Sequence, residues 1–271
     1  MAEGLTIVPI SGLGNRIRVV ASVCVAARHI SLPIRLVWRP ARDFRAGFYD
    51  LFAPIPVGEV PIESGGWADE PATKRNFFLP MLLRKRIYEE EWRCFRPNSD
   101  FSLIKAAQEH TSLYLDTCYA LGPYSSTDVR RLFRPTPELS EKINEVTHLF
   151  HGITIGVHIR RTDNLQAIRH SPVSAFRQRI DNMLQSGKAD SIFLSTDSEE
   201  VRQYFLHTYG NRLITRKPIL NRNKLDGIRD AVIDLWALSR TKRILGSYYS
   251  SFSETAAEIG DIPLDIITKQ A

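Results

Sequence analysis

Short apolar runs that alternate with helical patterns are the strongest constraint on this fold, and they are clearest in the second half of the sequence. Gly152–Val157 (GITIGV) and Ser191–Ser195 (SIFLS) are short and largely apolar, which is typical of strands buried on both faces. Val173–Leu184 lies between them and is predicted to form a helix. Strands that alternate with helices favour a parallel sheet covered by helices on both faces.

The same alternation runs to the end of the chain and also opens it. Residues 54–80 break the pattern with five prolines and a Gly-Gly pair, so we expect an irregular surface insertion there. The length of 271 residues favours two compact domains, for which we expect the ranges 1–140 and 141–271. Further strands are predicted at Leu5–Ile10, Ile34–Trp38, Ser112–Asp116, Asn211–Thr215, Arg243–Leu245 and Asp265–Thr268, and further helices at Ile17–Ile30, Pro135–Phe150, Ser198–His207, Gly227–Ser239 and Phe252–Ile259.

The charge and the cysteines exclude some classes of function. The 36 Lys and Arg against 30 Asp and Glu give a net charge of +6, which fits either ordinary solubility or an anionic ligand. The basic residues are not gathered in one tail, so we expect no nucleic-acid partner. The 3 cysteines are widely spaced and form no CxxC pair. We therefore expect no disulfide framework, no zinc site and a reduced, cytoplasmic location.

The N-terminal region also bears on location. Val19–Ala27, the longest uncharged apolar stretch near the start of the chain, is much shorter than the roughly 20 residues that a membrane span needs. The chain opens without a basic leader, so we expect no signal peptide. We expect no transmembrane segment, and peripheral association with a membrane stays open.

Chemically capable residues follow the predicted strands, where α/β sheets bind ligands. In His158-Ile159-Arg160-Arg161-Thr162-Asp163, two arginines leave a buried strand, and buried cations need anionic partners. Asp163 can pair with one arginine and leave the other for a phosphate, whose oxygens match a guanidinium bidentately. A purely structural Arg–Asp cluster is the alternative, and His158 by itself is more typical of a core histidine.

Two further motifs follow strands of the second half. Asp197 can accept two hydrogen bonds from the N1–H and N2 amine of a guanine, or it can cap a helix. The run from Gly246 to Glu254 (GSYYSSFSE) is rich in small hydroxyl residues, which can bind phosphate together with helix amides. Its alternative is a capping box between Ser251 and Glu254.

In the first half, Gly12-Leu13-Gly14-Asn15-Arg16 joins a predicted strand to a helix. Glycines allow the backbone to approach a ligand closely, although an ordinary turn explains them equally well. Ile17 stands where a dinucleotide fingerprint requires a third glycine, so a nicotinamide or flavin site is not expected. The sequence also lacks the DxD, HExxH, P-loop and GxSxG motifs. A bound diphosphate would therefore have to be neutralised by arginine, amides and hydroxyls, without a metal.

Together these motifs resemble the α1,6-fucosyltransferase and protein O-fucosyltransferase superfamily, which includes the rhizobial NodZ-type enzymes. The similar segments are GLGNR at 12–16, HIRRTD at 158–163, IFLSTD at 192–197 and SSF at 250–252, with FYDLF at 48–52 and DLWALS at 234–239 in support. The resemblance is thinnest over residues 54–110.

The resemblance implies a GT-B fold, with two Rossmann-like doubly wound domains that face each other across a cleft. It also implies an inverting, metal-independent transfer of fucose from GDP-fucose to a glycan or another hydroxyl acceptor, without a further cofactor. Arg160 would bind the β-phosphate and stabilise the departing diphosphate. The other donor-binding positions that the resemblance implies are His158 and Asp197 on the guanosine, Ser250, Ser251 and Phe252 on the phosphates, and Gly14, Asn15 and Arg16 from the first domain.

The general base is the point at which this sequence departs from the pattern. The α1,6 enzymes carry a glutamate about ten residues beyond the motif histidine, but residues 165–170 contain no carboxylate. His170 and Asp163 are the candidates for this role, and a dissociative route with little base assistance is a third option. The departure also leaves open a non-catalytic protein that binds a GDP-sugar or an acidic glycan, and a transferase that uses another GDP-hexose.

Overall fold

The computed structural model describes residues 3–42, 44–162, 164–219, 221 and 223–269. The chain divides into two compact units, one of Met1–Thr136 with Arg222–Ile228 and one of Pro137–Asn221 with Arg229–Ala271. Each unit contains a parallel sheet of five strands.

The first unit has the strand order β3-β2-β1-β5-β4. Its core is formed by apolar residues of the central strand and of the first helix, which is buried along most of its length. The strands are β1 (Gly4–Pro9), β2 (Ile34–Val37), β3 (Ile62–Glu63), β4 (Glu90–Trp92) and β5 (Ser112–Thr117), and the helices are α1 (Leu13–Ala27), α2 (Leu79–Ile87), α3 (Leu103–Glu109) and α4 (Ser126–Leu132).

The second unit has the strand order β10-β9-β6-β7-β8. The strands are β6 (Thr154–Ile159), β7 (Ser191–Thr196), β8 (Leu213–Thr215), β9 (Ile244–Ser247) and β10 (Leu264–Ile267). The helices are α5 (Pro137–Thr147), α6 (Leu165–His170), α7 (Val173–Gln185), α8 (Glu199–Tyr209), α9 (Leu225–Ser239) and α10 (Ser251–Gly260). The first residues of α9, up to Ile228, are counted with the first unit.

The second sheet is packed closely by helices α7, α8 and α10. Ile155, Val157 and Ile159 join the apolar residues of α7 and α8 in one buried cluster. On the neighbouring strand β9, a methyl group added to Gly246 would lie 2.7 Å from Cβ of Ser253. Helix α10 therefore packs directly on the backbone of β9, and this close approach requires a glycine.

The order of the strands predicts where a ligand binds in each sheet. The chain passes from β6 outward to β7 and β8, and then crosses to β9 and β10 on the other side. The order therefore reverses between β6 and β9, and open α/β sheets bind ligands at the carboxyl ends of the strands at such a reversal. The first sheet has the corresponding reversal between β1 and β5.

The structure differs from the sequence prediction in several elements. Residues 54–80, expected to be an irregular surface insertion, contribute the short outer strand β3 and the first residues of α2. Strands β6 and β9 each end two residues later than predicted, so His158 and Ser247 lie inside strands. Helix α1 begins four residues early, which places Gly14, Asn15 and Arg16 in its first turn.

Candidate functional site

The side chain of His158 is fixed where β6 meets α10. Its Nδ1 lies 2.7 Å from Oγ of Ser253, and its ring centroid lies 4.8 Å from that of Phe252. Burial, with a smaller contribution from the charge of Arg160, lowers the pKa of His158 to about 3. The imidazole is therefore neutral near pH 7, and it offers a ligand hydrogen bonding and ring contact but no positive charge.

Ser247 connects the backbones of β6 and β9 at the point of the reversal. Its hydroxyl accepts a hydrogen bond from the backbone N–H of Arg160 at 3.0 Å and donates one to the carbonyl of His158 at 3.2 Å. The bridge holds the two strand ends together, so it positions Arg160 relative to the turn that follows β9. Ser247 lies in the hydroxyl-rich run from Gly246 to Glu254, but its bridging role is not evident from the sequence.

The guanidinium of Arg160 has a carboxylate partner in the protein, whereas the sequence predicts that its charge is left for a ligand phosphate. Its Nε lies 3.3 Å from Oδ2 of Asp197, and both side chains are 14% exposed. This pairing neutralises part of the charge and orients the guanidinium plane. Because neither side chain is sealed from solvent, the pair is still able to meet a ligand.

Asp197 also organises the loop after β6. Its Oδ1 accepts a hydrogen bond from the backbone N–H of Arg161 at 2.6 Å, and its Oδ2 accepts one from Oγ1 of Thr162 at 2.7 Å. The expectation that both oxygens are open to a guanine is therefore not met. The alternative of Asp197 as a helix cap is also wrong, because Ser198 is the residue whose hydroxyl caps α8, by accepting from the N–H of Val201.

Arg161 supports the end of α6. Its Nη1 donates to the carbonyl of Ile168 at 3.3 Å, and its Nη2 donates to that of Ser171. Burial lowers the pKa of Arg161 from its ordinary value. A cation at the C-terminal end of a helix satisfies carbonyls that lack helical partners. Asp163, which was expected to pair with one of the two arginines, lies outside the described residues.

Helix α10 begins at the same edge of the sheet without a side-chain cap. Ser250 is its N-cap, and the hydroxyl of Ser250 makes no capping hydrogen bond. The predicted capping box between Ser251 and Glu254 is therefore wrong, because Ser251 is already the first helical residue. The first backbone N–H groups of a helix have no helical acceptors, so this ten-residue helix offers donors to an anion.

A strained turn fixes the start of α10. Tyr249 has a positive φ of 53°, which costs a residue other than glycine on the order of 1 kcal/mol. Two contacts from the β6–α7 connection hold this turn: Asn164 Nδ2 donates to the carbonyl of Tyr249, and the N–H of Tyr248 donates to Oγ of Ser171, each at 2.8 Å. Strain that neighbouring contacts maintain in this way is typical of functional sites.

His170, a candidate for the general base, lies close to this turn. It is exposed at the end of α6, and its ring centroid lies 4.9 Å from that of Tyr248. The short helix α6 had not been predicted from the sequence, and its last residue is brought to the sheet edge by the contacts of Arg161 described above.

A groove of about 1130 Å³ opens beside the loop after β6. It lies between the polar faces of α7 and α8, and Arg161, Thr162 and Asp197 line its inner end. The groove gives a ligand at the sheet edge access to the remaining acceptor capacity of Asp197. No motif predicted it, because the polar residues of α7 and α8 look like ordinary solvent-facing positions.

The glycine motif of the first unit corrects a second expectation. Arg16, predicted to reach a ligand, is 2% exposed. Its Nε donates to the carbonyl of Ser11 and its Nη1 to that of Arg39, each at 2.9 Å, and its guanidinium lies 4.3 Å from the centroid of the Phe44 ring. Arg16 therefore stabilises the turn. Asn15 stays closer to the surface and donates to Oγ of Ser11 at 3.0 Å.

Within the described ranges, no group of three or more His, Cys, Asp or Glu side chains is placed to hold a metal ion. No helix in the described part of the chain combines the length and apolar character that a membrane crossing requires.

Comparisons with known proteins show similarity at the level of structure. No protein-family model and no curated protein matches the sequence. NodZ α-1,6-fucosyltransferase soaked with GDP-fucose has a TM-score of 0.60 at 16% identity, over 95% of this chain and 93% of the other. An Arabidopsis thaliana FUT1 mutant in complex with GDP has a TM-score of 0.62 at 16% identity, over 97% and 70%.

POFUT1 in its apo form is also similar, with a TM-score of 0.56 at 11% identity over 98% of both chains. These structures match the superfamily that the sequence motifs resemble. The predicted fold class is confirmed: this is an α/β chain with two doubly wound parallel sheets, of the type found in GT-B fucosyltransferases.

Proposed function

We propose that the protein is an inverting, metal-independent glycosyltransferase that transfers fucose from GDP-fucose to a hydroxyl group of a glycan or another acceptor. The observation that carries the proposal is the pairing of two anion-binding elements at one strand reversal. The uncapped start of α10 and the partly exposed guanidinium of Arg160 both lie at the carboxyl edge of β6 and β9. The structures with similar folds include complexes with GDP-fucose and GDP, which supports this choice of donor.

In the proposed complex, the diphosphate lies at the start of α10. The backbone N–H groups of Ser251 and Phe252 and the hydroxyl of Ser250 bind its oxygens, and Arg160 binds the β-phosphate. The Asp197 carboxylate holds the guanidinium of Arg160 in place through Nε.

The guanosine portion is proposed to contact His158 and Asp197. The neutral imidazole of His158 and the adjacent ring of Phe252 provide a polar and an aromatic contact. Oδ1 of Asp197 accepts one protein hydrogen bond, and a carboxylate oxygen has room for two. We therefore assign it one hydrogen bond from the guanine, rather than the two expected from sequence.

The proposed reaction displaces GDP from the anomeric carbon of fucose with inversion. The acceptor oxygen forms a bond to this carbon while the bond from the carbon to the β-phosphate oxygen breaks. The acceptor proton passes to a base, for which Asp163 and His170 are the proposed residues. Negative charge grows on the leaving diphosphate, where Arg160 and the α10 amides stabilise it without having to reorganise.

Thermal unfolding with a panel of nucleotides tests the choice of donor. A ligand at a hundred times its Kd stabilises the folded state by about 2.7 kcal/mol. GDP and GDP-fucose should raise the Tm, UDP and TDP should leave it unchanged, and EDTA should not reduce the shift. A shift with every diphosphate would contradict a guanosine site, and a shift that EDTA abolishes would contradict metal independence.

A non-catalytic GDP-sugar or acidic-glycan binding protein is the second candidate, because α6 contains no carboxylate. Measurement of GDP release from GDP-fucose, with and without a set of glycan acceptors, separates the two functions. An acceptor-dependent release supports the transferase. Donor binding without release by any acceptor supports the binding protein, and release from another GDP-hexose alone changes the assigned donor.

A further inference from the structure

Helix α2 and the segments next to it form an exposed apolar surface on the first unit. Its large apolar side chains are between 37% and 78% exposed. Single exposed apolar residues are ordinary, but a group of this size commonly marks a binding surface. We call this group the α2 patch, and it consists of Trp67, Phe77, Phe78, Leu79, Leu82 and Leu83.

The orientation of α2 is set by one buried arginine. Arg84 donates through Nε to Glu91 at 2.9 Å and through Nη1 to the carbonyls of Ala68 and Glu70 at 2.6 and 2.9 Å. Its guanidinium also lies 4.5 Å from the centroid of the Tyr114 ring. A side chain with this many partners is 2% exposed and cannot turn outward without losing all of them.

This anchoring directs the apolar stripe of the helix to solvent. Pro80 and Arg84 share the buried face, four residues apart. Leu79, Leu82 and Leu83 follow the i, i+3, i+4 spacing of a single helix face, but that face is exposed. In a helix that served only the core of the protein, the leucine stripe would be buried.

The two phenylalanines that precede the helix extend the stripe. Phe77 and Phe78 have positive φ values of 50° and 56°, although non-glycine residues adopt this conformation at a cost. Their side chains are 78% and 41% exposed, so burial of the rings within the protein does little to offset that cost.

Positive charge lies at both ends of the stripe. Lys74 and Arg75 precede the phenylalanines, Lys85 and Arg86 follow the leucines, and all four are exposed. Residues 74–88 contain no Asp or Glu, and the nearest acids along the chain are Glu70 and Glu89. Phe and Leu flanked by Lys and Arg on a short helix are typical of segments that lie in the headgroup region of a membrane.

We propose that the α2 patch docks the protein on a bilayer surface that contains anionic lipids. The apolar side chains enter the boundary between headgroups and acyl chains, and the four cations contact lipid phosphates and carboxylates. A second copy of the chain fits less well, because a symmetric dimer through this patch brings the same four cations of both copies together.

Sedimentation with lipid vesicles tests the proposal. The full chain is mixed with vesicles of phosphatidylcholine alone, or of phosphatidylcholine and phosphatidylserine in equal amounts. The protein should bind the mixed vesicles much more tightly than the neutral ones, and added salt should weaken this binding. Absence of binding to the mixed vesicles, or equal binding to both kinds, would overturn the proposal.

Paired variants separate the two contributions. Lys85→Glu with Arg86→Glu should weaken binding to the mixed vesicles at least about 30-fold, and Phe77→Ser with Leu82→Ser by at least about tenfold. The matched controls are Lys188→Glu and Leu149→Ser, exposed residues of the second unit, which should bind as the wild type does. All the altered side chains are exposed, so the Tm should not change.

Two outcomes of the variant series would contradict membrane docking. One is vesicle binding that both patch variants retain. The other is a dimer in solution, seen by analytical ultracentrifugation, that the patch variants dissociate while no variant binds vesicles, because this would assign the surface to a second copy. Vesicle binding needs no donor or acceptor, so its result is independent of the proposed transferase activity.

Discussion

The two sheets of this protein offer the same elements at their carboxyl edges and use them differently. In both sheets, an arginine follows the central strand, and the nearby helix begins without a side-chain cap. Arg16 of the first sheet is 2% exposed and donates to carbonyls of its own turn. Arg160 of the second sheet is 14% exposed and is oriented by a carboxylate through its Nε.

An uncapped helix start is common to both edges and therefore does not distinguish them. What distinguishes the second edge is an arginine that keeps access to solvent, together with hydroxyl groups in place of the glycines of the first edge. Three mutations test whether the two edges differ in this way.

The largest effect is expected at Arg160. Arg160→Ala should reduce transfer from GDP-fucose by about 10²–10³ and weaken GDP binding by roughly tenfold or more, because it removes a charge-assisted contact to the leaving group. Arg160→Lys should not restore transfer, since an ammonium cannot reproduce the planar fork. GDP release assays and calorimetric titration with GDP measure the two effects.

Arg212→Ala is the matched control for Arg160. Arg212 is exposed just before β8, at the opposite end of the sheet from the site. The Arg212→Ala variant should retain both the transfer activity and GDP binding. Normal turnover in Arg160→Ala would remove the distinction between the two sheet edges.

A smaller effect, on stability rather than activity, is expected at Arg16. Arg16→Met should lower the free energy of unfolding by about 2–4 kcal/mol, because it leaves the carbonyls of Ser11 and Arg39 without their donor and removes the contact with Phe44. Urea unfolding measures this change. If stability is unaltered but GDP binding is lost, then Arg16 binds the ligand and the two edges act alike.

The third test is a dependence of stability on pH that comes from His158. Its pKa is about 3 in the folded state, against about 6.5 for an unperturbed histidine. Between these pH values the unfolded state therefore binds a proton that the folded state does not. The stabilisation that the neutral His158 contributes is fully present above pH 6.5 and is lost as the pH falls towards 3. Within this range of pH, the free energy of unfolding changes by up to about 1.4 kcal/mol per pH unit.

His158→Asn should remove that slope from the urea unfolding curves measured between pH 4 and 7. A wild-type slope that persists in the variant would assign the pH dependence to other groups. It would also question the neutral, buried imidazole on which the proposed guanosine contact depends.

The sequence predicted the long elements and the residues that follow the strands of the second sheet, because apolar runs and the residues next to them are local signals. Strands β3 and β4 were missed, since two or three residues cannot establish a period of two. The burial of Arg16 was missed for another reason. Its partners Arg39 and Phe44 lie more than twenty residues away, and nothing in the GLGNR motif indicates an aromatic cage around its last residue.

Asp197 in the second unit is another residue whose position could be predicted but whose contacts could not. The STD motif identified a carboxylate at the end of a strand, and a carboxylate is found there. Which hydrogen bonds it accepts depends on the conformation of the loop after β6, which only the folded chain determines.

The hydroxyl that bridges β6 and β9 makes the position of Arg160 depend on a residue that solvent does not reach. Ser247 has no exposed surface, and its one oxygen bonds to the N–H of Arg160 and to the carbonyl of His158. A residue without a hydroxyl at this position would leave the N–H of Arg160 without this acceptor. The end of β6 is thus held by a side chain that is too deeply buried to touch anything outside the protein.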